Sequence, residues 1–223
     1  MSKKVNAWSF SRLKNFEQCP KKFYHTSIRK DVIESQNDTM LYGNRVHKAL
    51  ELRVKNGKRL PMDMTHLESI AAKFADPKVK PDEILTEQQL AIDENYQPCD
   101  WFSKDTWTRA IIDYLAIRGD SAVLVDYKTG KMYDDFTQLK MAAALLFLFR
   151  PEINTIKVVY WWTKEKSITS DYFCREDMPE LWSELLPRVE RYNKAFDADE
   201  FPAKQNYLCK RYCPVKQCKW HGE

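Results

Sequence analysis

Ala110-Ile111-Ile112-Asp113-Tyr114-Leu115 and, beyond Gly119-Asp120, Val123-Leu124-Val125-Asp126-Tyr127-Lys128-Thr129-Gly130 form the stretch that decides how this chain folds. Trp107 to Ile117 and Ser121 to Lys128 read as two strands, and the Gly-Asp pair between them predicts a hairpin. Each strand is interrupted by one aspartate. A carboxylate within a buried strand is costly unless it is paired or coordinated, and across a short turn Asp113 and Asp126 can meet on one face. Asp126 and Lys128 lie two apart, so their side chains project from the same face. An acid that can hold a hard cation, beside an ammonium that can orient water, is what phosphodiester hydrolysis at neutral pH requires. The plainer readings are an exposed cross-strand ion pair at the sheet end for Asp126 and Lys128, and a strand-edge acid facing water for Asp113. Asp76-Pro77-Lys78, in a polar loop, shows that acid-x-Lys also arises by chance.

Outward from this pair the pattern stays regular. Upstream, Ile84 to Ile92 reads as another strand. Before it the chain reads as helical: a helix capped by Ser9 or Ser11 and ending at Gln18, one started by Pro20 over Lys21 to Ser27, one over 39 to 56 with Gly57 past its end, and one through Met64, Leu67, Ile70, Ala71 and Phe74. Downstream, Asp134 to Phe149 reads as a helix. Lys157 to Trp162 and Ile168 to Phe173 read as strands, and Met178 to Phe196 as an amphipathic helix that contains Pro187. No repeat or linker divides the 223 residues, which predicts one domain: helical over 1–80, a core over 81–196 and an irregular tail over 197–223.

The hydrophobic fraction of 43% suits a folded core. The longest apolar run, Met141 to Phe149, is too short to cross a bilayer. The N-terminus lacks the apolar stretch of a secretory signal, so the expected compartment is the cytosol. The net charge of +4 is modest but unevenly placed. Residues 1–30 carry Lys3, Lys4, Arg12, Lys14, Lys21, Lys22, Arg29 and Lys30 against Glu17 alone. Residues 203–220 carry Lys204, Lys210, Arg211, Lys216 and Lys219 and no acid. Phosphate backbones favour such surfaces, and Ser9, Arg12, Lys21, Lys22, Lys210 and Arg211 are the candidate DNA contacts. The alternative is two solvated basic ends.

Three further groups carry chemistry. His47 and Glu51 sit four apart on one helix face and could lean over the same cation, although a helical histidine is more often simply packed or solvated. Gln138, early in the helix after the motif strand, could steady that strand or a phosphate. In a reducing compartment, six cysteines read as metal ligands or thiols rather than disulfides. Three of them crowd the tail as Cys209-x3-Cys213-x4-Cys218, while Cys99 and Cys174 read as plain thiols.

Together these residues resemble the RecB-like branch of the PD-(D/E)XK nucleases. Gly43-Asn44-Arg45-Val46-His47 with Glu51 resembles its G-x-x-(V/I)-H helix, Ile111-Ile112-Asp113 its aspartate strand, Asp126-Tyr127-Lys128-Thr129-Gly130 its D-x-K-T motif, and Gln138 its Q-x-x-x-Y motif. Ser9 to Phe23 resembles the S-x-S-x-L-x-x-(Y/F)-x-x-C-P-x-x-(F/Y) opening of many members. The resemblance implies an α/β (α+β) fold: a restriction-endonuclease-like core with a central mixed sheet, a helical N-terminal part and an irregular cysteine-bearing tail. It implies that His47, Asp113, Asp126 and the Tyr127 main-chain carbonyl hold Mg²⁺ or Mn²⁺, with Glu51 nearby, and that Lys128 assists the water. Ala142 stands where the Q-x-x-x-Y tyrosine belongs, and Ala110 where a glycine often precedes the strand aspartate. Cys19, Cys209, Cys213 and Cys218 resemble the 4Fe-4S staple of AddB and of the CRISPR-adaptation nucleases. Their spacing departs from the commoner C-x2-C-x5-C, which leaves Zn²⁺ on the three tail cysteines with Cys19 or His221, or no metal, as alternatives. The implied activity is a metal-dependent deoxyribonuclease, an exonuclease of recombination, repair or phage DNA processing, with a helicase or single-strand annealing protein as partner. The alternative is a non-catalytic nucleic-acid-binding subunit that keeps the fold.

Overall fold

The structure, a computed structural model, describes residues 6–34 and 38–223; Lys3 and Lys4 lie outside them. It packs as two compact units, one of residues 37–181 and the other of residues 1–36 with 182–223.

The first unit is built on a five-stranded sheet in the order β1 (Glu83–Ile92), β2 (Thr108–Arg118), β3 (Ser121–Lys128), β4 (Thr155–Trp162) and β5 (Ser167–Cys174). Gly119, at φ +56°, makes the tight β2–β3 turn that the Gly-Asp pair predicts, and Arg118 pairs with Ser121 on either side of it. β3 and β4 run parallel, the other neighbours antiparallel. A parallel pair needs a long crossover, here supplied by α5 (Thr137–Phe149), which buries Leu139 and every residue from Met141 to Phe147. That is where the apolar run goes, and no helix among the described residues is long and apolar enough to cross a membrane. Against β2, β3 and β4 pack Val46 and Leu50 of α3 (Asp38–Asn56), Leu60, Met64 and Leu67, and Ala71 of α4 (Glu68–Ala75). They meet Tyr114, Val125, Tyr127, Val159 and Trp161. The fold is α+β with a mixed sheet, as expected.

Three helix boundaries differ from the sequence reading. The helix expected from Asp134 starts at Thr137, because the Asp135 carboxylate accepts from the Thr137 N–H at 2.9 Å and ends the preceding loop. The helix expected through Met64 to Phe74 is a 3-10 turn, Met62–Leu67, that continues into α4. The segment expected as Lys21 to Ser27 is a short α2 (Pro20–Phe23) that widens into a π-turn, Tyr24–Arg29. There Thr26 Oγ1 donates to Lys22 O at 3.0 Å, competing for that carbonyl.

In the second unit Ser9 caps α1 (Phe10–Gln18), its hydroxyl accepting from Arg12 N–H at 3.3 Å. Phe16, Phe23 and Tyr192 meet edge-on with centroids 5.3 to 5.9 Å apart. Arg188 grips Glu17 with two hydrogen bonds of 2.8 Å. Arg188 and Tyr192 lie on α6 (Met178–Asp197), which runs on through Pro187. The irregular tail is tied to the end of α1 by Lys204 Nζ on Glu17 O (2.8 Å) and Asn206 Nδ2 on Gln18 O (3.1 Å).

Candidate active site

The β2–β3 ladder stops at Tyr114 paired with Val125, one step short of Asp113 and Asp126. The strands part there, and the Asp113 carboxylate fills the gap. Its Oδ2 accepts from the Tyr127 N–H at 2.7 Å and its Oδ1 lies 3.1 Å from His47 Nδ1. Asp113 is only 7% exposed, and these partners make that burial tolerable. α3 brings His47 in: Val46 and Leu50 bury one stripe of that helix and turn the next residue toward the strand ends. The Tyr127 ring backs the imidazole edge-on at 5.7 Å. Burial alone would lower the His47 pKa, but Asp113, Asp126 and a hydrogen bond to the Tyr127 backbone outweigh it and raise it.

Asp126 and Lys128 share a face of β3, as their spacing requires, with Nζ 2.8 Å from Oδ2. Gln138 on α5 bridges the pair. Its Nε2 donates to Asp126 Oδ1 at 3.0 Å, and its Oε1 accepts from Lys128 Nζ at 3.1 Å. Gln138 therefore holds acid and ammonium in register, although Ala142, buried on the same helix, replaces the expected tyrosine. Burial, reinforced by Asp113 and opposed by Lys128, pushes the Asp126 carboxyl up to about 6. Lys128 is pulled down by burial, but Asp126 outweighs this and holds it above its ordinary value. Asp126 Oδ2 is buried, and the Lys128 ammonium meets it at 2.8 Å, a charge-assisted contact.

Glu87 is the residue that the sequence reading missed. It sits where β1 would pair with Asp113, between the pairs Thr86 with Tyr114 and Gln88 with Ile112, and its φ of +51° breaks the ladder at that one residue. A non-glycine residue there carries strain of about 1 kcal/mol or more. Ligand atoms of His47, Glu87 and Asp113 all lie within 4.8 Å of one another, the one such group of three among the described residues. Burial, then Asp113, raises the Glu87 pKa. His47 and Glu87 edge a cavity of about 730 Å³ that Thr39, Gly43, Lys48, Glu51 and Thr129 also line. Glu51 reaches that cavity, but its carboxylate is paired with Lys48 at 2.6 Å.

Gly43 explains itself here. A Cβ at this position would lie 3.2 Å from Thr129 Oγ1, a tight contact that a small shift of that side chain relieves, so α3 packs closely on the residue after β3. Gly43→Ala should stay within about 1 kcal/mol of wild type, since the gain in helix propensity offsets the crowding. Gly43→Val should lose about 1 to 3 kcal/mol by overpacking, and thermal unfolding of both variants measures the difference.

Over residues 7–218 the sequence matches the PD-(D/E)XK nuclease superfamily. The chain belongs to that superfamily. Among curated proteins none matches it. Its fold is similar to that of a candidate exonuclease from Eubacterium rectale, at TM-score 0.57 and 13% identity over 96% of this chain and 89% of that one. SSO0001 aligns at TM-score 0.42 and 12% identity, over 98% and 88%. The grouped donors of this PD-(D/E)XK chain, two carboxylates and one imidazole, suit a divalent cation.

The remaining candidates lie in the unit of residues 1–36 and 182–223. Ser9 caps α1, and Arg12 donates to the Tyr192 hydroxyl (2.8 Å) and lies over the Phe23 ring. Lys22 pairs with Glu34 at 2.6 Å, and the backbone N–H of Lys21 donates to Pro202 O. Lys210 and Arg211 are exposed. All six cysteines are free thiols, with Cys19 and Cys209 buried and Cys213 and Cys218 half-buried. Burial raises the Cys213 thiol, and the neighbouring Cys209 and Cys19 raise it further. His221 is exposed, its N–H on Cys218 O at 3.0 Å.

Proposed function

We propose that this chain is a Mg²⁺- or Mn²⁺-dependent deoxyribonuclease of the RecB-like branch, acting as an exonuclease on DNA ends or single strands in recombination, repair or phage DNA processing. The observation that carries this reading is the meeting of Asp113, held by His47 and the Tyr127 amide, with Asp126 and Lys128, bridged by Gln138. Three charged groups kept together at low exposure cost stability unless they serve chemistry, which favours an enzyme over a retired binding subunit.

Asp113, Asp126, His47 and the Tyr127 carbonyl would hold the cation, with Glu87 as a further carboxylate in the position first given to Glu51. When bound, the cation supplies charge stabilisation at the phosphate and a more acidic attacking water. The chain's own residues do the rest. Lys128, fixed between Asp126 and Gln138, hydrogen-bonds and orients the water and faces the charge that develops on the phosphate oxygens. Asp126 keeps that ammonium protonated. The Tyr127 amide locks the Asp113 carboxylate so that binding requires no reorientation. Ser9, Arg12, Lys21, Lys22, Lys210 and Arg211 are proposed as backbone contacts, and a helicase or annealing protein as the partner. Cys19, Cys209, Cys213 and Cys218 are proposed to hold a 4Fe-4S cluster, with zinc, and His221 among its ligands, as the alternative. The influence of Cys209 and Cys19 on Cys213 favours a shared site.

The test is anaerobic purification with visible absorption and metal analysis, then digestion of 5′- and 3′-labelled single and double strands. Cleavage should need Mn²⁺ or Mg²⁺, stop in EDTA and be lost in Asp126→Ala. Undiminished cleavage in that variant would remove the assignment, and a colourless, iron-free protein would remove the cluster.

A further inference from the structure

We infer that Tyr133 is a stacking platform for an unpaired base beside the scissile phosphate, so that the site takes its substrate as a single strand. This deepens the nuclease reading and borrows from it only the scissile phosphate. Residues 129–136 leave Lys128 as an irregular loop before α5. On that loop the Tyr133 ring meets Tyr160 at 5.3 Å and Trp162 at 5.0 Å, edge-on at 66° and 83°, and its hydroxyl bonds that of Tyr160. The layer beneath is rigid. Tyr160 and Trp162 are fully buried, Tyr160 Oη donates to Asp135 O at 3.1 Å, Trp162 Nε1 donates to Thr169 Oγ1 at 2.8 Å, and Phe136 stacks on Tyr160 at 5.3 Å. Tyr133 is the most exposed ring of this layer, at 37%, with Met132 beside it at 46%.

The layer is continuous with the chemistry: Lys128 Nζ stands 5.2 Å over the Tyr160 ring, and Tyr133 is close enough to act on the Lys128 charge. A phosphate held at Lys128 therefore brings its adjoining base to Tyr133. An aromatic ring held at a fixed angle loses little freedom when a base stacks on it, and every base offers a π face. A base within a duplex is already stacked and paired, so only an unpaired or extruded one can use the ring.

The experiment uses the full-length protein in EDTA, where nothing is cut, with a single-stranded DNA of about 15 nucleotides carrying 2-aminopurine stepped along its length. Wild type, Tyr133→Phe and Tyr133→Trp should quench the probe at one register. Tyr133→Ala should lose the quench and bind about tenfold more weakly, and the blunt duplex should show neither effect. If the Ala variant does not fold, Tyr133→Leu fills the space without a π face. Unchanged quenching in the variant, equal quenching of the duplex, or no strand binding by wild type would overturn the inference. Binding and quenching without cleavage in Mn²⁺ would sink the nuclease reading and leave Tyr133 as a base-stacking platform beside Lys128. Cleavage with an indifferent Tyr133→Ala would sink this one alone.

Discussion

Lys128→Met should lower the rate of phosphodiester hydrolysis by about 10²–10³-fold, the usual loss when one preorganised donor is removed from a charge-stabilising site. The methionine stem keeps the volume over the Tyr160 ring, so the loss belongs to the ammonium. Two other consequences come with it. Gln138 Oε1 loses its donor, and Asp126 loses the stronger of the two groups that oppose its burial, His47 being the other, so the Asp126 pKa climbs further above about 6. The measurement is the single-turnover rate on a labelled strand across pH, with strand binding measured separately in EDTA. A variant that binds like wild type and cuts slowly, with its acid limb moved to higher pH, is the expected result. One that cuts at the wild-type rate would mean that the ammonium is only a structural counter-ion.

Asp126→Asn should make the cation-free protein more stable relative to wild type as the pH rises. Folded Asp126 keeps its proton up to about pH 6, whereas an ordinary aspartate releases it near 3.8. Between those values the folded chain binds more protons than the unfolded one, so stability falls with rising pH and the full penalty is present above about 6. The gap between variant and wild type should therefore widen by about 1 to 3 kcal/mol between pH 4 and pH 7 in EDTA. Saturating Mg²⁺ or Mn²⁺ should close it, because binding to the folded wild type adds stability that the variant gains only weakly. Denaturant melts of both proteins, with and without cation, test this. A gap that ignores both pH and cation would mean that Asp126 is satisfied by Lys128 alone.

Much of the site was legible because its parts are local. Asp126 and Lys128 lie two apart, and a two-residue turn brings Asp113 opposite them. The close stripe Val46, His47, Leu50 orients the imidazole wherever α3 packs. Glu87 was not legible. Its place opposite Asp113 depends on the β1–β2 register, which the long connection 93–107 does not reveal, and on a positive φ that a glutamate seldom adopts. Gln138 was legible as a residue that could steady the motif strand or a phosphate, but its reach to both Asp126 and Lys128 depends on how α5 crosses β3. The boundary at Thr137 turned on a single carboxylate, that of Asp135.

The sequence by itself determined the strand pair with its turn, the helix that follows it, and the local placing of Asp113, Asp126 and Lys128 along those strands. Those features follow from periodicity and short-range spacing, which any chain carries along its length. Only the tertiary structure decided which third acid joins them, how far burial lifts Asp126, and which aromatic layer lies beside Lys128. Coordination, desolvation and exposure depend on through-space distances of a few ångströms between residues far apart in the chain, and no local pattern encodes those distances.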